Sequence, residues 1–196
     1  ELYGVFIKAA VKGLNYYNTS VWDGTEPATW DELTAALEAQ SSAADAAWCV
    51  GFESGAASGW PGTDWIEDIL LRQAGPEVYD QLFSGELSWT DQAVKDAFAT
   101  FGEVLDNTHG GSTYVVNTNF GRGGNPLFDD PPGCLLHHQA SFITDFFANE
   151  AGATPDQYDF FPFPAIDTSL PAAVTGGGDL MGMFNDTPEA RSLIQY

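Results

Sequence analysis

Segment 48–71, WCVGFESGAASGWPGTDWIEDILL, constrains the fold most, because it joins a short apolar run to an amphipathic stretch through small residues. The run Trp48 to Phe52 has the pattern of a strand buried on both faces. Apolar residues then recur at helical spacing, at Ile66, Ile69 and Leu70. Thr63 is the predicted N-cap of this helix. The segment therefore predicts a strand, a loop and a helix in that order.

The loop of this segment has the composition of a binding loop. Residues 55–59 are all Gly, Ala or Ser, which lets the backbone come close to another molecule, and Trp60 follows them. An indole with Asp64 nearby suits a neutral polyhydroxylated ligand, because an aromatic ring packs on the apolar face of a sugar and a carboxylate accepts from its hydroxyls. Alternatively, Trp60 fills a gap between the loop and the core.

The charge balance narrows the possible partners. Lys and Arg number 6 against 28 Asp and Glu, which gives a formal net charge of -22. Such a chain repels nucleic acid and anionic membrane surfaces, and it disfavours a strongly anionic ligand. No segment approaches the roughly 18 to 20 apolar residues of a membrane-spanning helix. The chain starts without Met and stops within a helical pattern, so we expect a part of a longer protein.

The two cysteines, Cys49 and Cys134, each border a predicted strand. They form either a disulfide, which would place the protein outside the cytoplasm, or two buried thiols. The separation of their Cα atoms distinguishes these alternatives. Neither has a second ligand at zinc-like spacing, so we expect no metal.

Strand and helix patterns alternate along the rest of the chain. Further strands or extended segments are predicted at 3–9, 13–17, 134–139 and 158–164. Further helices are predicted at 30–43, 77–83, 91–106, 142–150 and from 186 onward. Thr29 and Glu32 form a capping box for the first helix, and Thr90 is the predicted cap of 91–106. This alternation indicates the α/β class.

The end of strand 134–139 is a second candidate binding segment. Open α/β sheets bind ligands where a strand ends and a helix begins, which favours Gln139 for hydroxyls and Phe142 for stacking. Packing is the alternative role of Phe142. His137 and His138 must face opposite sides of the strand. We expect one in the core and the other beside Gln139.

The glycine run 176–178 is a third candidate segment. It lacks the spacing of a phosphate loop, so nucleotide binding is not predicted. Instead the backbone of Gly177 and Gly178 would approach a ligand, and Asp179 would accept from its hydroxyls.

A glycoside hydrolase is the enzymatic alternative. It would use two of the carboxylates Glu53, Asp64, Glu67 and Asp68, which would have to lie about 5 to 9.5 Å apart. Glu67 and Asp68 are predicted to be solvated helix residues, which disfavours this role. A further alternative is a structural interaction domain that binds no sugar.

Five segments in order resemble the extracellular solute-binding proteins of carbohydrate ABC transporters, in particular the branch for α-glucosides and related oligosaccharides. They are LYGVFIKAAVKGLNYYN, PATWDELTAAL, GWPGTDWIEDILL, DFFPFPAID and AVTGGGDLMGMFNDTPEARSLI. The resemblance covers almost all of this chain but only about the second half of such a protein. It implies a fold of the periplasmic-binding-protein type (class II), with a mixed sheet flanked by helices.

The resemblance also implies a division of the chain. Residues 1–17 would cross from one lobe, 18–157 would form the C-terminal-type lobe, 158–170 would cross back, and 171–196 would belong to the N-terminal-type lobe. Trp60 matches the stacking aromatic of the family, 139–142 matches a sugar-facing turn, and Gly177, Gly178 and Asp179 match a contact from the other lobe. Pairing of Cys49 with Cys134 fits that branch.

The function implied by the resemblance is binding without catalysis. A sugar in the cleft between two lobes would favour hinge closure, which a membrane permease recognises. We accordingly expect a carbohydrate ligand, no cofactor or metal, no nucleic acid, and a monomer. The location would be extracytoplasmic, with a lipid anchor on the full-length protein.

Overall fold

The computed structural model describes residues 5–195, which form a mixed α/β structure. The strands are β1 (Val5–Val11), β2 (Leu14–Asn18), β3 (Trp48–Cys49), β4 (Leu136–Gln139), β5 (Tyr158–Pro162) and β6 (Gly176–Met181). The helices are α1 (Trp30–Ala39), α2 (Trp60–Ala74), α3 (Pro76–Ser84), α4 (Gln92–Leu105), α5 (Gly111–Asn117), α6 (Ile143–Phe146) and α7 (Pro188–Gln195). The predicted α/β class is confirmed.

The strands form two separate sheets. The larger has the order β3-β4-β2-β5, in which β2 is antiparallel to both neighbours and β3 is parallel to β4. β1 pairs with β6 in an antiparallel two-stranded sheet. β1 and β2, joined only by Lys12 and Gly13, thus lie in different sheets. β5 is an edge strand, where Pro162 removes no ladder hydrogen bond.

The larger sheet carries a core on each face. Side chains alternate along β2, so Tyr17 packs with the α2–α4 side and Tyr16 packs on the opposite side. Cys49 and Cys134 belong to the second core and are bonded to each other, with Cα atoms 5.6 Å apart. The predicted disulfide is confirmed.

Segment 48–71 differs from its prediction in two places, the end of its strand and the start of its helix. Its strand is limited to Trp48–Cys49, because Phe52 and Glu53 donate instead to the carbonyls of Val115 and Thr118 outside the sheet. α2 begins at Trp60 and not after Thr63, whose hydroxyl donates back to the carbonyl of Trp60. Gly59 precedes the helix with a left-handed φ of +99°, and Pro61 fits its first turn.

Other boundaries shift by a few residues. The capping box of Thr29 and Glu32 is confirmed, but α1 ends at Ala39 and not near Ala43. Asp91, not Thr90, caps α4. The predicted helix 142–150 is α6 followed by a π-helical turn, Phe147–Ala151. Tyr3 and Gly4 of the predicted first strand, and Tyr196 of the last helix, lie outside the described residues.

Candidate ligand-binding site

Trp60 and Phe142, predicted separately as stacking residues, are neighbours in the structure. Their ring centroids are 5.9 Å apart, and Trp60 is partly exposed at the start of α2. Phe120 packs edge-on against Trp60 at 5.1 Å and extends the same cluster. Sequence analysis missed Phe120, because it lies in a glycine-rich loop without periodicity. Together the three rings form an aromatic surface.

A cavity of about 240 Å³ lies beside this surface. Its walls come from the β1 end, the turn after β4 and β6: Lys8, Ala10, Lys12, Ala140, Phe142, Gly177, Gly178 and Asp179. Phe142 therefore links the aromatic surface to the predicted glycine segment. Asp179 is mostly exposed and lies 3.7 Å from Lys8 Nζ.

The packing of the strands also explains why glycine residues stand in the wall of this cavity. Gly178 faces β1, and a Cβ on it would collide with the carbonyl oxygen of Lys8. A Cβ on Gly177 would lie 3.3 Å from Lys12 Cε. The strand pairing of β6 therefore requires a residue without a side chain at Gly178, whether or not a ligand approaches.

Asp64 forms an ion pair with Lys12, a residue that sequence analysis did not select. Lys12 Nζ lies 2.6 Å from Asp64 Oδ1 and 3.8 Å from Glu67 Oε2. The other oxygen, Asp64 Oδ2, is buried and has no hydrogen-bond partner within residues 5–195. Lys12 thus lines the cavity, while the carboxylate of Asp64 binds its ammonium group.

The pKa values of this pair are both raised. Burial raises the pKa of Asp64, and the hydrogen bond and charge of Lys12 only partly offset it. For Lys12, burial lowers the pKa, but the hydrogen bond and charge of Asp64, with the charges of Glu67 and Asp68, raise it overall. The two shifts do not mirror each other, because the Asp64 side chain is only 5% exposed and that of Lys12 is 24% exposed.

Gln139 is buried at the end of β4. Its Oε1 accepts from the backbone N–H of Ala140 at 2.9 Å. Ser141 N–H donates to the carbonyl of Val11 at 2.8 Å, which holds this turn against β1. Gln139 therefore shapes the turn that carries Phe142, and its contact with a ligand stays a prediction.

Asp68 lies at the centre of a buried polar network behind the cavity. Its Oδ1 accepts from Arg72 Nη1 at 2.9 Å and from Thr175 Oγ1 at 2.8 Å, and its Oδ2 accepts from His138 Nε2 at 2.9 Å. Burial raises the pKa of Asp68, but the hydrogen bond and charge of His138, with Arg72 and Thr175, lower it overall. The prediction that Asp68 is solvated is wrong, because this face of α2 packs against the sheet and the chain before β6.

The histidines of β4 face opposite sides, as predicted, but both are buried. His137 Nδ1 lies 2.8 Å from the carbonyl oxygen of Cys49 and donates to it. Burial lowers the pKa of His137 to about 4. The expectation that only one histidine lies in the core is wrong, because His138 is also buried and its Nε2 contacts the carboxylate of Asp68.

The carboxylates of the hydrolase alternative are engaged by protein groups. Glu53 accepts from Gly55 N–H at 2.6 Å and from Asn119 Nδ2 at 2.8 Å. Asp64 is held by Lys12, and Asp68 is fully buried. This geometry does not favour a catalytic pair in one cleft.

The mixed α/β fold described above is shared with periplasmic solute-binding proteins. Residues 3–196 match the family model described as bacterial extracellular solute-binding protein, and the chain belongs to that family. This membership in an extracellular family indicates an extracytoplasmic location, in agreement with the disulfide. None of the helices within residues 5–195 has the length and apolar character needed to cross a membrane.

Two curated relatives align with the whole chain. The osmoprotective compounds-binding protein GgtB of Synechocystis sp. is 41% identical over an alignment of 201 positions, which covers 100% of this chain and 47% of GgtB. The alpha-glucosides-binding periplasmic protein AglE of Rhizobium meliloti is 39% identical over an alignment of 203 positions, which covers 100% of this chain and 44% of AglE. The chain thus spans about half the length of these relatives.

A solved structure confirms the predicted fold. A chitin oligosaccharide binding protein superposes with a TM-score of 0.76 at 24% identity, over 98% of this chain and 48% of that one. The resemblance to solute-binding proteins is therefore confirmed for a partial chain.

Proposed function

We propose that the complete protein is the substrate-binding component of an ABC importer and binds a neutral, α-glucoside-like oligosaccharide. The observation that carries this proposal is the position of Trp60 beside Phe142, next to a cavity that ends at Asp179. Aromatic rings suit the apolar faces of sugars, and Asp179 and Lys12 suit their hydroxyls. Family membership and the printed name of AglE support the ligand class.

The cleft would be formed by two lobes of the complete protein. Residues 1–17 and 158–170 are the proposed crossings, 18–157 the proposed C-terminal-type lobe, and 171–196 part of the other lobe. The separate sheets of β1 and β2 support this division. A sugar that touches both lobes favours the closed form through its greater affinity for it, and the permease would recognise that form.

We assign different roles to the candidate residues. Trp60 and Phe142 would stack on sugar rings, while Gly177, Gly178 and Asp179 would provide a wall with backbone and carboxylate groups. Asp64 would act through Lys12, and Gln139 would act through the turn before Phe142.

The remaining proposals concern the complete protein as a whole. Binding and release need no cofactor, metal or catalytic group, and the charge of -22 disfavours nucleic acid. We propose a monomer attached to the membrane by a lipid anchor. Both features are testable by light scattering and by mass spectrometry of the native protein.

Calorimetry on the complete protein tests the function. We expect binding of at least one sugar of the maltose to maltotetraose series, and a loss of more than about 1 kcal/mol in Trp60→Ala, since a ring contact is removed. Val116→Ala is the control, because Val116 is exposed on α5, outside the proposed crossings, and lines no part of the cavity. Failure of the unmodified protein to bind any sugar of the series would contradict the proposal, and turnover of chromogenic glycosides would favour the hydrolase.

A further inference from the structure

A second cavity lies on the neighbouring side of α2 and has a volume of about 480 Å³. We call it the outer groove, and its walls are Gly59, Gly62, Thr63, Ile66, Glu67, Phe83, Trp89, Phe98 and Phe101. Ile66 and Phe101 are core residues that form its floor. The groove therefore lies between the first turns of α2, the end of α3 and α4.

Three aromatic side chains of the outer groove are about half exposed. The exposed fractions are 49% for Phe83, 58% for Trp89 and 52% for Phe98. Phe83 and Trp89 pack edge to face at 6.3 Å. Exposed apolar rings gathered in one concave place are typical of a binding groove.

The outer groove also carries oriented polar groups. Glu67 Oε2 accepts from Tyr79 Oη at 3.3 Å, which holds the carboxylate near the groove wall. Thr63 Oγ1 donates to the carbonyl of Trp60, so its lone pairs remain able to accept. These oxygens among aromatic rings match the mixed apolar and hydroxylated surface of a saccharide.

The outer groove adjoins the proposed sugar site through named side chains. Glu67 lines the groove and lies 3.8 Å from Lys12, which lines the cavity beside Phe142. Gly59, at the other end of the groove wall, immediately precedes Trp60. Trp60, the first residue of α2, packs against Phe142, which lines that cavity, so the outer groove and the cavity are close neighbours.

We infer that the outer groove is a subsite for additional sugar rings of the same oligosaccharide, an inference that rests on the proposed function. A neutral saccharide can cover the three rings and still hydrogen-bond to Glu67. A lipid chain or an apolar peptide side chain would remove water from this carboxylate and offer it no further hydrogen bond. The volume of the groove is within the range of small-ligand sites.

Chain-length dependence of affinity tests this subsite in the complete protein. Calorimetry with maltose and maltotetraose should show that Trp89→Ala weakens maltotetraose binding by ~10-fold and leaves maltose binding within about 2-fold, since only the longer sugar reaches the groove. Phe98→Ala should also weaken the binding of maltotetraose and leave that of maltose nearly unchanged. Val116→Ala, which removes an exposed apolar side chain outside the groove and outside the proposed crossings, should change neither affinity.

The outcomes separate the two proposals. Unchanged maltotetraose affinity in both groove variants, or an equal loss for both sugars, would overturn the outer subsite and leave the proposed function standing. Absence of binding by the unmodified protein across the series would overturn both. Retained maltose binding in each variant also verifies that it is folded.

Discussion

Asp68 Oδ2 lies 2.9 Å from His138 Nε2, and both side chains are buried. The contact joins α2 to β4 across 70 positions of sequence. Thr175, just before β6, also donates to Asp68. Arg72 Nε donates to the carbonyl of Phe163 at 3.0 Å. A buried carboxylate with several donors is held in one geometry, so this network fixes the positions of β4 and of the chain before β6 relative to α2.

Gly13, between β1 and β2, makes room for this network, and its replacement gives the first stability prediction. It has a φ of +72°, and a Cβ on it would lie 2.7 Å from Asp68 Oδ1. Gly24 has a similar φ of +83° but nothing within 4 Å of a Cβ. Gly24→Ala should cost about 1 to 2 kcal/mol from backbone strain alone, and Gly13→Ala at least about 1 kcal/mol more from the clash.

Chemical denaturation of the two variants of the complete protein measures this difference. Because the strain from positive φ is nearly matched, the excess for Gly13→Ala reports the contact with Asp68. Equal losses in the two variants would show that Asp68 moves aside at no cost.

Features set by neighbouring residues were predictable from the sequence. The capping box of Thr29 and Glu32 depends on spacing within one turn, and the α/β alternation follows from local patterns. Where two local signals competed at α2, the Gly59-Trp60-Pro61 start prevailed over the Thr63 cap.

Contacts between distant residues were not predictable from local pattern. Lys12 and Asp64 are 52 positions apart, and Thr175 and Asp68 are 107 apart. Nothing near Asp68 distinguishes it from an exposed helical carboxylate until β4 and the chain before β6 are in place. Trp60 and Phe142 were selected for their chemistry, but their proximity depends on how α2 packs on the sheet.

Acidification should destabilise the protein through His137. Its pKa is about 4 in the folded state against an unfolded value of 6.5, so between these values the unfolded chain binds more protons. Stability should therefore fall as pH drops from about 6.5 to 4, by up to about 3 kcal/mol. The lowered pKa of Asp68 adds stability that is present above its unfolded value and is lost at still lower pH.

Thermal unfolding between pH 7 and pH 4 tests this dependence. In His137→Asn, which cannot titrate but retains a donor for the Cys49 carbonyl, the fall over this interval should be smaller. A variant with the same pH slope as the unmodified protein would exclude His137 as the cause.

The last prediction concerns the pairing of Lys12 with Asp64, because Lys12 lines the cavity and Asp64 binds its ammonium group. In Lys12→Met the carboxylate of Asp64 stays buried and loses the partner of its Oδ1, while Oδ2 has none already. We expect a loss of about 2 to 4 kcal/mol in the free energy of unfolding. In the Asp64→Asn background the same change should cost at least about 1 kcal/mol less, because no buried charge is left unpaired. Lys95→Met, on the exposed face of α4, is the control and should be nearly neutral. If Lys12→Met costs the same in both backgrounds, Lys12 does not stabilise the protein through Asp64.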